Sequence, residues 1–139
     1  MRLLLDTHVL LWWWCCPRLL TARVRERLEN PCQAVVVSVA SLWELSETEQ
    51  RAELPELSSV IWQLPELVLQ EGFALLPIQP RHGLLAGQWR ARGPGRASQS
   101  RLRPIDHTGR LLLAQAQLEN LTLVSADTTL QHTGVRCLW

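Results

Sequence analysis

The chain has 139 residues, 47% hydrophobic and 19% charged, a balance that excludes disorder and suits one domain spanning residues 1–139 around a single core. A formal net charge of +1 makes no global demand for a nucleic-acid or acidic partner. The chain contains no lysine, which removes the P-loop and Schiff-base chemistries that depend on one.

Leu3, Leu4 and Leu5 form a short apolar run ending at Asp6, which predicts a strand buried on both faces. From Thr7 the pattern becomes helical. The longest apolar run, Val9 to Cys16, falls well short of the roughly 20 residues that a membrane span needs. Asp6 and His8 also interrupt the stretch where a signal peptide would be apolar, so the protein is expected to be soluble and cytoplasmic, without membrane contact. Trp12, Trp13 and Trp14 are consecutive on this helix, where neighbours point about 100° apart. Either the sheet and a neighbouring helix bury all three, or at least one faces solvent in a monomer and serves an interface.

A second helix is predicted from Thr21 to Glu29, with Thr21 as N-cap and Asn30-Pro31 as its stop. Ala34 to Ser38 is β-branched and short, hence a strand. Helices are predicted from Ser41 to Gln50 and from Ser58 to Glu71, with Gly72 supplying a left-handed cap. Phe73 to Ile78 is a third strand, and Pro80 to Trp89 a short helix with proline near its first turn. Ala91 to Pro104 has no apolar period and is a predicted loop. Arg110 to Glu119 is a helix closed by Asn120, Leu121 to Ser125 a fourth strand, and Val135 to Leu138 a fifth. Such alternation implies right-handed crossovers and an α/β fold with a mostly parallel sheet of four or five strands covered on both faces. Cys15, Cys16, Cys32 and Cys137 include no CxxC pair, so buried free thiols are expected in place of a zinc site.

Ligands gather at the carboxyl ends of strands in sheets of this kind. Asp6 follows the first strand directly, Glu44 lies about one helical turn after the second, and Asp127 is two residues beyond the fourth. Each has a plain local explanation: Asp6, Asp106 and Asp127 suit helix N-caps, and Ser41 with Glu44 has the spacing of a capping box. Capping does not explain their convergence on one rim. Two unit charges about 4 Å apart repel by roughly 4 kcal/mol at an effective dielectric near 20, so such a set needs a cation. Oxygen ligands without a His or Cys cluster select Mg²⁺ or Mn²⁺, whose chemistry is hydrolysis assisted by a bound ion.

Charge is unevenly spread. Glu44 to Glu71 holds seven acids and one base, whereas Gly72 to Ile105 holds six arginines and no acid. Arg90, Arg92, Arg96, Arg101 and Arg103 lie on or beside the predicted loop and are candidate RNA-phosphate contacts. A solvated loop is the alternative. His8, His82, His107 and His132 form no metal-binding spacing, and His107 alone is placed to matter.

RLLLDTHVLLWW at the start, SLWE with Trp43 and Glu44, RLLLAQA, and LVSAD ending in Asp127 together resemble the PIN-domain toxins of the VapC type, in order and over essentially the whole chain except Ala91 to Pro104. The resemblance implies a PIN-like three-layer sandwich. It also implies a Mg²⁺- or Mn²⁺-dependent endoribonuclease, homodimeric and held inactive by a small antitoxin protein. Asp6, Glu44 and Asp127 match the family's acidic positions, and Thr7 matches a hydroxyl that orients the first aspartate. With Asp106 these give a catalytic set of Asp6, Glu44, Asp106 and Asp127, of which Asp6, Asp106 and Asp127 are the metal ligands.

Two departures stand out. Family members read D-P-F-D-R-L where this chain reads Asp106-His107-Thr108-Gly109-Arg110-Leu111, so Gly109 occupies the position of a metal-site aspartate. Thr48 stands where the pattern WExxxK places a lysine. Either Asp106 or His107 replaces the missing ligand, or the metal is lost and the domain binds RNA or its antitoxin without cutting. If position 109 is the missing ligand, Gly109→Asp is expected to raise Mn²⁺ affinity and RNA cleavage. A phosphotransfer or nucleotide-binding domain is the remaining alternative, disfavoured by the missing lysine and the lack of a Gly-rich loop after the first strand.

Overall fold

The structure, a computed structural model, describes residues 1–89 and 104–139. Five strands, β1 (Leu3–Leu5), β2 (Val35–Ser38), β3 (Ala74–Leu76), β4 (Thr122–Val124) and β5 (Cys137–Leu138), form one sheet in the order β3-β2-β1-β4-β5. Every pairing is parallel. Among the described residues the α-helices are α1 (Thr7–Cys15), α2 (Ala22–Glu29), α3 (Val39–Gln50), α4 (Leu64–Gln70), α5 (Pro80–Gln88), α6 (His107–Leu118) and α7 (Thr128–Gln131).

Alternation along the strands divides the apolar side chains between two cores. Leu3, Leu5, Val35 and Val37 pack against Val9 and Leu10 of α1, Val24 and Leu28 of α2, Leu45 of α3 and Val68 of α4. On the opposite face Leu4, Val36 and Leu123 meet Leu112, Leu113 and Ala116 of α6 and Leu130 of α7. Because both faces are covered, β1, β2 and β4 are buried throughout, and β1 is apolar at every position. The result is the three-layer α/β arrangement expected.

Local chemistry moved several boundaries. The helix expected from Ser58 to Glu71 is confined to α4, preceded by 3₁₀ turns at Pro55–Leu57 and Ile61–Gln63. Pro65 lies in the first turn of α4, the one place where a missing N–H and a fixed φ are tolerated, so the helix starts there. Helix α3 begins earlier than expected, because Ser38, not Ser41, caps it by accepting from the Ala40 N–H. Likewise α6 starts before Arg110, since the Asp106 carboxylate accepts from the Gly109 N–H at 2.7 Å. Gly72 at φ +78° and Asn120 at φ +54° take the left-handed conformation that ends the preceding helices, as anticipated.

Trp12, Trp13 and Trp14 are each half-buried against the first core, so neither full exposure nor full burial describes them. Trp12 packs on Trp139 with ring centroids 5.7 Å apart, and the Trp13 indole N–H donates to Glu71. The strongly exposed tryptophan is Trp62, at 88%. All four thiols are free, but Cys15 and Cys32 are exposed and Cys16 and Cys137 only half-buried, which corrects the expectation of burial. No helix among the described residues is long and apolar enough to cross a membrane.

Candidate metal centre

Strand order reverses beside β1, where the chain steps from β3 at one edge back to β4 on the other side of β1. The carboxyl ends of β1 and β4 therefore open on the crevice that a parallel sheet offers to ligands. Their register pairs Leu5 with Val124, so the next residues, Asp6 and Ser125, emerge side by side. The fully buried Ser125 hydroxyl donates to Asp6 Oδ2 at 2.6 Å, and the Asp127 N–H donates back to Ser125 Oγ at 3.0 Å. One serine thus ties the two strand-end aspartates together. Its sequence signal is a serine two residues before Asp127, which is weak without the strand register.

Glu44 reaches the same crevice from α3. The Thr7 hydroxyl donates to Glu44 Oε2 at 2.6 Å, and Ser41 Oγ lies 3.1 Å from the Thr7 oxygen. This revises the expected role of Thr7: its hydroxyl orients Glu44, while Asp6 receives the Ser125 hydroxyl. Thr48, at the lysine position of the pattern, turns inward and donates to the Glu44 carbonyl at 2.8 Å.

The capping alternatives now separate. Asp6 precedes α1 without any side-chain cap bond, and Glu44 is engaged by Thr7 in place of a capping box. Asp106 and Asp127 do cap, through Oδ1 of each, to Gly109 N at 2.7 Å and Thr129 N at 2.7 Å. Capping uses one oxygen per carboxylate and leaves the second for other partners.

All four acids line one cavity of about 240 Å³, together with His8, Gly109, Ile105 and Leu130. His8, on the first turn of α1, is the histidine that reaches it; His107 is exposed and does not line it, which corrects the earlier choice between them. Arg90, Arg92, Arg96, Arg101 and Arg103 lie outside the described residues.

Burial dominates the electrostatics. It pushes the Asp6 carboxyl above its ordinary range; the Ser125 hydrogen bond, His8 and the Thr7 amide oppose this, and Asp127 adds to it. Glu44 is also raised, first by burial and then by the charges of Asp106 and Asp6, against the Thr7 hydrogen bond. Carboxyls that resist ionisation because they are buried beside one another are those a bound cation relieves.

Among the described residues no three Asp, Glu, His or Cys side chains approach closely enough to form one coordination sphere. Mg²⁺ keeps several waters and takes only one or two protein carboxylates directly, so a cavity lined by four carboxylates around such a volume fits a hydrated hard ion. The donor set contains no thiolate, and its single imidazole leaves it oxygen-dominated, which disfavours zinc.

The family model described as the PIN domain matches residues 3–135. A VapBC structure from Salmonella typhimurium, bound to DNA, superposes with a TM-score of 0.71 at 18% identity, covering 99% of this chain and 97% of that one. VapBC2 from Rickettsia felis, bound to a DNA fragment from its promoter, gives 0.70 at 16% identity over 100% and 98% of the two chains. FitAcB from Neisseria gonorrhoeae gives 0.61 at 19% identity over 99% and 96%. No curated protein gives a match. At these identities the likeness to solved structures establishes the fold.

Proposed function

Because the chain belongs to the PIN-domain family, we propose that it is a Mg²⁺- or Mn²⁺-dependent endoribonuclease acting as the toxin of a toxin–antitoxin pair. PIN domains are generally nucleases. The observation that carries the proposal is the arrival of Asp6, Glu44, Asp106 and Asp127, from four separate segments, on one cavity at the reversal of strand order. Likeness to VapBC complexes supports an antitoxin protein as partner, and a homodimer in the cytoplasm is the assembly proposed.

Asp6, Asp106 and Asp127 would hold the ion. When bound, it supplies a nucleophilic water at neutral pH and offsets charge on the phosphodiester. Glu44, held by the Thr7 hydroxyl and raised above its usual range, is placed to accept a proton from the attacking water as general base. The arginines from Arg90 to Arg103 are proposed to hold the RNA backbone through phosphate contacts that carry no base specificity.

The test is cleavage of single-stranded RNA with Mg²⁺ or Mn²⁺ by the wild type and by Asp6→Asn. Metal-dependent cutting by the wild type that the variant loses supports the proposal; equal cutting by both overturns it. Gly109 favours a second reading, a domain that binds RNA or an antitoxin without cutting. A wild type that retards RNA in a native gel yet leaves it intact would establish that reading.

A further inference from the structure

The candidate cavity is walled by Asp6, Glu44, Asp106 and Asp127, and among the described residues no arginine lines it. Carboxylates repel a phosphate backbone, and a bound ion offsets that repulsion only where it sits. A strand that runs on past the ion is best held by its bases, whose faces carry no net charge. Aromatic side chains, histidine included, take unpaired bases by stacking, whatever the base, because every base has a π face.

A row of three rings starts at this cavity. His8 lines it and is exposed. Trp12 is four residues on, hence on the same face of α1, with its ring centroid 6.0 Å from that of His8. Trp139, 5.7 Å beyond Trp12, completes the row. The sheet explains the alignment. Because β5 runs parallel to β4, the residue after Leu138 emerges on the same carboxyl rim as Asp6 and Ser125, the rim from which α1 departs.

Packing accounts for only part of this row. Trp12 and Trp139 rest on the first core, but His8 does not join it, and rings inclined at 49° and 54° are not stacked face to face. Neither the His8 ring nor the Trp12 indole N–H has a hydrogen-bond partner among the described residues, whereas Trp13 donates to Glu71.

We propose that His8, Trp12 and Trp139 form a stacking platform for the unpaired bases of an RNA strand leaving the cavity, with His8 taking the base next to the phosphate held there. This inference rests on the reading of RNA as the ligand above, and adds to it a requirement for a single strand. Bases paired in a duplex are stacked on one another and leave the rings nothing to bind. The platform supplies affinity without choosing a sequence.

Anisotropy of a 5′-labelled single-stranded RNA of about ten nucleotides, alone and annealed to its complement, tests this when titrated with the full chain in Ca²⁺, a hard ion that takes oxygen ligands. His8→Ala, at an exposed position, is expected to weaken binding of the single strand about fivefold or more and to leave the duplex unaffected. His8→Phe, which keeps a ring face and drops both nitrogens, is expected to stay within about twofold of wild type. Removing one base at a time from the RNA should weaken the wild type at adjacent positions, and in His8→Ala one of those losses should vanish. Indifference of the wild type to every abasic RNA, an equal loss on single strand and duplex in His8→Ala, or a His8→Phe as weak as His8→Ala overturns the proposal. If the wild type cuts RNA with Mn²⁺ while His8→Ala binds the single strand as tightly as wild type, the nuclease reading stands and this inference falls. If the base-dependent pattern appears in a chain that cuts nothing, the nuclease reading falls and the platform stands. A wild type that binds no single-stranded RNA overturns both.

Discussion

At the N-terminal end of α6, Asp106 shares a cavity with Asp6, Glu44 and Asp127, while at the other end Glu119, just past the helix, meets His82 and Arg81 of α5. Both are clusters of ionisable groups gathered from distant parts of the chain. The C-terminal cluster is balanced: the fully buried His82 accepts the Gln79 N–H at Nδ1, which leaves the proton on Nε2 to bond Glu119 Oε1 at 2.9 Å. Glu119 is accordingly held below the ordinary carboxylate range, first by His82 and then by Arg81. The cavity end is unbalanced, with Asp6 and Glu44 both raised by burial and by neighbouring acids. One cluster fastens α5 to α6. The other keeps unrelieved charge, which a fold retains where a ligand supplies the missing partner.

Breaking each end should therefore have different consequences. The largest effect is expected from Asp6→Asn, which removes a proposed metal ligand. Ion stabilisation of developing charge amounts to several kcal/mol, so cleavage should fall by on the order of 10³ or more with the fold intact. A residual rate within tenfold of wild type in a metal-dependent RNA assay would argue against the cavity as the reacting centre. Next is His82→Ala, which leaves a void in a buried site and strands two hydrogen-bond partners. It should destabilise the chain by about 2–4 kcal/mol in urea unfolding. An unchanged midpoint would mean that the balanced cluster is not structural.

Much of the unbalanced end was legible in the sequence, because an acid at the end of a short apolar run is local information. Asp6 after Leu3–Leu5 and Asp127 after Thr122–Val124 needed only the strands to be recognised. What the sequence did not display was register. Ser125 meets Asp6 because Leu5 pairs with Val124 across 119 residues, and no local pattern encodes that pairing. Thr7 is marked by the family resemblance alone, and its hydroxyl points across to α3, a direction set by how α1 packs on α3. The lack of a metal-binding spacing among the histidines hides His8, which the first turn of α1 brings to the cavity beside Asp6. The balanced end was invisible: His82 and Glu119 are 37 residues apart, and each alone reads as an ordinary helix residue. The stretch from Ser58 to Glu71 reads as one helix in sequence, whereas Pro65 in its first turn fixes the start of α4.

Ser125→Ala lies between the two ends in expected size. It removes the donor to Asp6 and the acceptor for the Asp127 N–H without touching an oxygen of the proposed ligands. Losing a group that orients ligands typically costs 10–100-fold in metal affinity or activity. Mn²⁺ affinity and cleavage should fall together, and Ser125→Thr, which keeps the hydroxyl, should recover most of both. Failure of threonine to do better than alanine would reduce Ser125 to a packing residue.

The smallest expected effect is the pH response of the balanced end. A carboxylate more acidic in the fold than in the unfolded chain binds fewer protons when folded. The contribution of Glu119 is therefore complete above its ordinary value of 4.5 and is lost as the pH falls through the lower folded value. Arg81 is exposed, so solvent screens its part of the attraction and the pair should contribute less than about 1 kcal/mol. Thermal midpoints of the wild type and Glu119→Gln should differ modestly near about pH 7 and converge in acid, where both side chains are neutral. A difference that widened in acid would mean that the Glu119 contacts are not what its carboxylate contributes to stability.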